Sequence, residues 1–167
     1  MFEMIALAAF AGLVVFAACS DIARLIIPNW VSIALAAIFP VAALIAGAPL
    51  MTIGLHLLFG FGVLAVGFVL FQLNIIGGGD AKLLAAVSIW TGMTAFMPFI
   101  FWTAIAGGLM ALALLTARQL LPVGSYPSFV DHLLKKQNGI PYGVAIMVGA
   151  LMAIPSLPYL SSPLTLP

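Results

Sequence analysis

Charge is what this sequence has least of. Its 167 residues include only five lysines and arginines and four aspartates and glutamates, while 65% of the residues are hydrophobic. Soluble domains carry charge on roughly a quarter of their residues, so this chain has too few charges to cover a soluble fold. The mean hydropathy of +1.33 agrees. We therefore expect an integral membrane protein.

Cysteine and clustered basic residues are also scarce. A single cysteine, Cys19, excludes an internal disulfide and a zinc site built from several cysteines. We expect Cys19 to be a small buried residue, because the acidic flank Met1-Phe2-Glu3 does not suit a processed lipoprotein signal. His56 is expected at the membrane interface. Beyond Lys135-Lys136 there is no basic cluster, so we expect no nucleic-acid partner, and we expect neither a metal nor a cofactor.

Long uncharged runs predict how often the chain crosses the membrane. A spanning helix needs about 20 mostly apolar residues, and the runs between charges accommodate six such helices in one membrane-embedded domain, residues 1–167. The predicted helices are approximately residues 4–20, 30–47, 51–73, 81–95, 99–117 and 140–160. The predicted loops on one side are residues 21–29, 74–80 and 118–139. Small surfaces for helix packing are predicted at Gly54, Gly60, Gly62 and Gly67.

The few charges predict an orientation. With six passes, all five basic residues fall on one side and Glu3 falls on the other, and basic residues in short loops mark the cytoplasmic face. We therefore expect an all-α polytopic protein with both termini outside. In the loop 118–139, Ser128 is predicted to cap a short helix with Asp131 at its third position. This helix would rest on membrane lipid as an anchor or, alternatively, contact a substrate.

Two acids, Asp21 and Asp80, lie where apolar segments meet short polar ones, on the predicted cytoplasmic side. A carboxylate in hydrocarbon surroundings is costly and is a candidate functional group. Two neighbouring carboxyls repel each other, so the pair can hold one shared proton near neutral pH. One can then deprotonate a water that attacks a peptide carbonyl while the other polarises that carbonyl. The structural alternatives are a helix cap at Asp80 and an ion pair between Asp21 and Arg24.

The residues around the two acids suit close approach of a substrate. Gly77-Gly78-Gly79 places no side chain in front of Asp80 and permits unusual backbone angles. Asp80 begins the fourth predicted helix, whose amino-terminal dipole favours a negative charge. Lys82 is expected either to favour ionisation of Asp80 or to anchor the cytoplasmic side. After Asp21, Pro28 stops the first helix and Asn29 is expected to cap the second.

Three short motifs together resemble a known family. They are Asp21 followed by Ile27-Pro28-Asn29, then the run from Gly77 to Lys82, and finally Ile140-Pro141-Tyr142-Gly143. In this order, and with six predicted helices, they resemble the bacterial type IV prepilin peptidases, which are membrane aspartic proteases of the GxGD class. The resemblance spans nearly the whole chain.

The resemblance implies both an activity and a location. Members of the family remove the short basic leader of a prepilin, just before its apolar helix, at the cytoplasmic face of the bacterial inner membrane. By matching position, Asp21 and Asp80 would be the catalytic acids and Gly77 and Gly79 the flexible glycines. Pro141, Tyr142 and Gly143 match the third motif and are expected to give structural support.

The chain departs from the longer family members, which carry an amino-terminal cytoplasmic domain and a cysteine quartet alongside pilin methylation. We therefore expect peptidase activity without methyltransferase activity. In compactness the chain resembles the cleavage-only peptidases of Flp-type (tight adherence) pili, and archaeal preflagellin peptidases are similar in plan. Two rival functions remain open: a proton-coupled transporter component, and a non-catalytic subunit of a pilus or secretion assembly.

Overall fold

The protein is a helical bundle in the computed structural model, which describes residues 2–121, 130, 133–135 and 139–157. The helices are α1 (Phe2–Arg24), α2 (Asn29–Ile45), α3 (Leu50–Gln72), α4 (Gly78–Leu120) and α5 (Tyr142–Ala153), and a 3₁₀ turn, Ile154–Ser156, follows α5. No strand occurs in these residues, so the all-α prediction is confirmed for them. Helices α1, α3 and α4 are long and apolar enough to cross a membrane, whereas α2 and α5 are shorter. The six crossings and the orientation stay predictions.

Helix α4 consists of two arms joined at Gly92. Its 43 residues would form a straight helix of about 65 Å, roughly twice the thickness of a bilayer core. Gly92 interrupts it with φ 53° and ψ −164°, a backbone conformation that is essentially restricted to glycine. The first arm therefore covers residues 78–91 and the second arm residues 93–120. The sequence predicts a break around Gly92 to Pro98, and the structure has it at Gly92. Residues 96–98, which lie between the two predicted helices, are helical and belong to the second arm.

Both arms of α4 reach the same end of the bundle. Asp80, near the start of the first arm, lines a cavity with Asp21. Gly107 of the second arm lies against Tyr142, at the start of α5, and the next residue, Gly143, bonds to Asp21. The chain must therefore reverse direction near Gly92. Because of this reversal, the second arm packs alongside α5 and returns toward the two acids.

An aromatic cluster fills the core beneath this end. Trp90 is fully buried, its ring lies 4.8 Å from that of Phe10 between centroids, and its indole N–H donates to the Leu35 carbonyl at 2.9 Å. His56 is also buried, stacks on Phe39, and forms a 2.8 Å hydrogen bond through Nδ1 with the Ile89 carbonyl. His56 is therefore enclosed by the bundle, and its position at the level of the membrane interface stays a prediction. Its ring occupies the space that Gly92 leaves by having no side chain.

Two of the four predicted packing glycines of α3 make close contacts. A side-chain carbon at Gly60 would collide with Ile89, and one at Gly67 would lie 3.1 Å from the Ala81 Cβ, whereas Gly54 and Gly62 have open space beside them. The contacts with α4 therefore follow one face of α3. Cys19, predicted to be buried, is exposed, because it lies on the outer face of α1.

The segment after α4 is described only in part. Arg118, near the end of the second arm, donates to the carbonyls of Leu133 and Gly139, both at 2.9 Å. It thereby holds the segment that leads into α5. The predicted short helix capped by Ser128, with Asp131 at its third position, lies outside the described residues.

Candidate active site

The end of α1 places Asp21 and then turns the chain sharply. Leu25 has a left-handed backbone with φ 52° and its N–H donates to the Asp21 carbonyl at 2.8 Å. The Ser20 hydroxyl donates to the Ile26 carbonyl at 2.8 Å, so the turn is fastened to the helix that precedes it. Pro28 follows in an extended conformation as the cap residue of α2. Asp21 thus occupies the last turn of α1, next to a fixed corner.

The Asp21 carboxylate lies at the amino terminus of α5. Its Oδ2 accepts a hydrogen bond from the Gly143 backbone N–H at 2.7 Å, and the side chain is only 5% exposed. Gly143 is the second residue of α5, where a helical N–H has no partner within its own helix. The positive end of the helix dipole also favours an anion here. Asp21 is therefore tied to α5, and among the residues that the structure describes it forms no ion pair with Arg24, the alternative that the sequence offered.

Asp80 occupies the corresponding place on α4. It is the third residue of that helix, and Gly77 is the cap residue, with φ −70° and ψ 145°. The Gly77 backbone N–H donates back to the Asp80 carboxylate, which is one half of a capping box. A side chain at Gly77 would place its first carbon 2.7 Å from Asp80 Oδ2. Asp80 therefore caps α4 and also faces a cavity.

The two acids line one cavity. It has a volume of about 260 Å³ and is formed by the last turn of α1, the α1–α2 corner and the whole Gly77–Asp80 run. The two carboxyls are close enough for the charge of Asp21 to act on Asp80. Asp80 and its glycines are part-exposed, so a substrate backbone could reach the acids from the glycine side.

The first and second motifs are packed against each other. A side-chain carbon at Gly79 would lie 3.2 Å from the Ile27 Cβ, so the missing side chain allows the α1–α2 corner to approach α4. The Asn29 Oδ1 accepts a hydrogen bond from Lys82 Nζ at 2.9 Å. The expectation that Asn29 caps α2 is therefore wrong, since Asn29 is the first residue of that helix and its side chain binds Lys82.

Lys82 supports the site indirectly. Residues two apart in a helix point to different faces, and the Lys82 ammonium is directed at Asn29 of α2. Its contact is thus with the corner that carries Asp21. The two predicted roles of Lys82, favouring ionisation of Asp80 and anchoring the cytoplasmic side, stay predictions. Sequence reasoning missed Ser20, whose residue type gave no functional signal. It quoted Ile27 as part of the first motif but did not predict its contact with Gly79.

The third motif acts through its backbone. Gly143 donates to Asp21 and has no room for a side chain: a Cβ there would lie 2.9 Å from Asp21 Oδ2 and 3.0 Å from the Asp21 Cβ. The first two motifs therefore line the cavity, and the third motif holds Asp21 from behind through the Gly143 backbone. Among the residues that the structure describes, no group of three or more histidine, cysteine, aspartate or glutamate side chains could hold a metal.

A family model, described as the type IV leader peptidase family, matches residues 8–112. The chain belongs to this family. The match includes both acids and the glycine run, whereas the third motif lies beyond it and is connected to the site by the Gly143–Asp21 bond. No curated protein and no solved structure matches the chain. Membership in the family identifies a leader peptidase-type membrane protein, for which prepilins are the implied substrates.

Proposed function

We propose that this leader peptidase-family protein is an aspartic endopeptidase in which Asp21 and Asp80 cleave prepilin leaders. The observation that carries the proposal is the shared cavity of these two acids. Each carboxylate accepts a backbone N–H near a helix amino terminus. These contacts lower the cost of holding two acids at the edge of an apolar bundle, and they leave both carboxyls free to act on a water.

The proposed reaction needs only water and the two carboxyls. One carboxylate removes a proton from a water while the other, protonated, donates a hydrogen bond to the scissile carbonyl. The water oxygen adds to the carbonyl carbon while the protonated carboxyl gives its proton to the carbonyl oxygen, which forms a tetrahedral diol. The C–N bond then breaks as the proton taken from the water passes to the leaving nitrogen and a diol hydroxyl returns a proton to the other carboxyl. The products are a leader with a new carboxylate and a pilin with a free amino terminus, and the acids share one proton again.

We place the site at the cytoplasmic face of a bacterial inner membrane, in a multi-pass protein. Basic residues gather at the end of the bundle that holds the acids: Lys82 binds the α1–α2 corner, and Arg118 lies farther along the arm that passes Tyr142. Basic residues near membrane crossings mark the cytoplasmic side. The prepilin leader is basic and cytoplasmic, so it would meet the two acids from this side.

We further propose that the substrates are Flp-like prepilins and that the protein does not methylate the product. The described residues contain a compact helical bundle around one cavity with two acids. A transporter component or an assembly subunit is less consistent with this geometry, because the acids lie at helix ends beside flexible glycines and adjoin each other.

Leader removal tests the proposal. We expect prepilin co-expressed in membranes to be cleaved by the wild type but not by Asp21→Asn or Asp80→Asn, because the amide cannot exchange a proton as a carboxyl does. Cleavage is read from the mobility of the prepilin on a gel, and the amount of inserted enzyme is measured on the same membranes.

A matched control is Glu3→Gln, which makes the same change to an acid at the opposite end of α1. It should cleave like the wild type. If both aspartate variants also cleave at the wild-type rate, the two acids are not the catalytic pair.

A further inference from the structure

A second cavity adjoins the site and has a different character. It is an apolar groove of about 410 Å³ between α2, α3 and the first arm of α4. Its lining positions recur with helical spacing: on α2 they run from Asn29 to Ala36, and on α4 from Lys82 to Ile89. Seven residues of helix span about 10 Å, so the groove extends about two helical turns from the level of the Asn29–Lys82 bond.

We propose that this groove, defined by Asn29, Ser32, Ala36, Gly60, Lys82 and Ala85, binds the apolar helix that follows the scissile bond of a prepilin substrate. The inference rests on the proposed function and adds to it the surface that holds the uncleaved part of the substrate.

Continuity with the catalytic cavity is the first argument. Asn29 lines both cavities, so one substrate chain can pass from the acids into the groove without crossing a helix. The groove then leads away from the charged end of the bundle, because α2 and α4 both begin at that end. In the substrate, the scissile bond directly precedes an apolar helix. Such a substrate needs a polar catalytic cavity followed by an apolar groove.

The walls of the groove suit a helix. Ala36, Gly60, Ala85 and other small residues line it, and helices in membranes associate where small residues allow their backbones to approach. At these positions the groove is open toward the lipid side, where Ile33 is 66% exposed and Phe61 is also 66% exposed. A helix could therefore enter sideways from the bilayer.

Ser32 provides the second, independent observation. Its side chain is only 8% exposed, and its hydroxyl is buried without a hydrogen-bond partner in the described part of the chain. Burial of a polar group without a partner is unfavourable, so a ligand that supplies a partner gains affinity. The first four N–H groups of any helix have no internal partner. The substrate helix would begin near the acids, so the Ser32 hydroxyl is available as an acceptor for one of those N–H groups.

The first test compares two substitutions of equal size. Ala36→Phe fills the groove, whereas Ala37→Phe adds the same ring to the next residue of α2, which is exposed and does not line the groove. We expect Ala36→Phe to slow prepilin cleavage by about tenfold or more and Ala37→Phe to change it by less than about twofold. We also expect Ser32→Ala to slow cleavage by about fivefold and Ser32→Thr, which keeps the hydroxyl, to restore most of the rate.

The second test is independent of cleavage and of the folding of these variants. A photoreactive residue replaces Ile33, which lines the groove, or Val15, which is exposed on α1, and each is made in the Asp21→Asn background with prepilin present. We expect crosslinks from position 33, and not from position 15, to the apolar segment of the prepilin.

The outcomes separate the two proposals. Crosslinks from position 33 only to lipid or to a second copy of this chain would overturn the groove assignment, even if both acids prove essential. Crosslinks to prepilin together with full cleavage by Asp21→Asn would support the groove and refute the catalytic pair. Equal cleavage by Ala36→Phe and Ala37→Phe would also count against the groove.

Discussion

The Gly143–Asp21 contact allows a sharp prediction, because a single methyl group should disturb an acid that is far away in the sequence. In Gly143→Ala the new Cβ would lie 2.9 Å from Asp21 Oδ2, 3.0 Å from the Asp21 Cβ and 3.2 Å from its Cγ. Three atoms of one side chain are crowded together, so rotation of the carboxyl alone does not relieve the contact. The whole side chain must move by a few tenths of an ångström, and the 2.7 Å hydrogen bond must lengthen.

The expected loss of cleavage rate in Gly143→Ala follows from the strength of this hydrogen bond. A hydrogen bond to a charged group contributes about 1.5–3 kcal/mol, and each 1.4 kcal/mol changes a rate by about tenfold. We therefore expect Gly143→Ala to slow leader cleavage by about 10- to 100-fold, and the larger Gly143→Val to slow it further. The bundle should still fold, because alanine is favourable within a helix.

The assay is prepilin cleavage in membranes, normalised to the amount of inserted enzyme. Gly12→Ala is the matched control: it adds the same methyl group to α1, the helix that carries Asp21, at a position with open space beside it. If Gly143→Ala cleaves as fast as Gly12→Ala, the contact between α5 and Asp21 does not position the acid, and the role we give to the third motif is wrong.

Two further glycine substitutions test the other acid and the reversal of α4. Gly77→Ala should slow cleavage by about tenfold, since its Cβ would press on Asp80 Oδ2 at 2.7 Å; a rate equal to that of Gly108→Ala, which has open space, would contradict this. Gly92→Ala should lower the free energy of unfolding by about 2–3 kcal/mol or more, measured from thermal unfolding in detergent, because φ is 53° and the His56 ring fills the space. Adding His56→Ala should recover only part of the loss, since the backbone strain remains; full recovery would mean that the strain is absent.

The sequence predicted the helical class well because hydropathy is a local property. Apolar runs and their charged ends are read directly from the chain, and the predicted interval for the break in α4, Gly92 to Pro98, includes the observed position at Gly92. The position within that interval was not predictable, because Pro98 is also a strong local signal and because His56 packs against Gly92 from another helix. The burial of His56 could not be predicted for the same reason.

The candidate site was predictable in its residues but not in its contacts. Asp21 and Asp80 stand out because acids are rare in such a chain, and Gly77 to Gly79 form a visible run. Nothing local indicates that Asn29 binds Lys82, because this bond joins residues that are far apart in the sequence. An asparagine directly after a proline is typical of a helix cap, so the local sequence around Asn29 predicted a capping role instead.

The positions of the helix amino termini explain how two acids can lie near each other at the edge of an apolar bundle. Each carboxylate is placed where a helix begins, Asp21 against Gly143 of α5 and Asp80 within the first turn of α4. A helix amino terminus offers unpaired N–H groups and a positive dipole, so it stabilises an anion without a basic side chain that would neutralise the acid. Because glycines stand beside both acids, Asp80 stays part-exposed at the shared cavity although Asp21 is buried. A peptide would therefore reach the pair from the side of the glycine run.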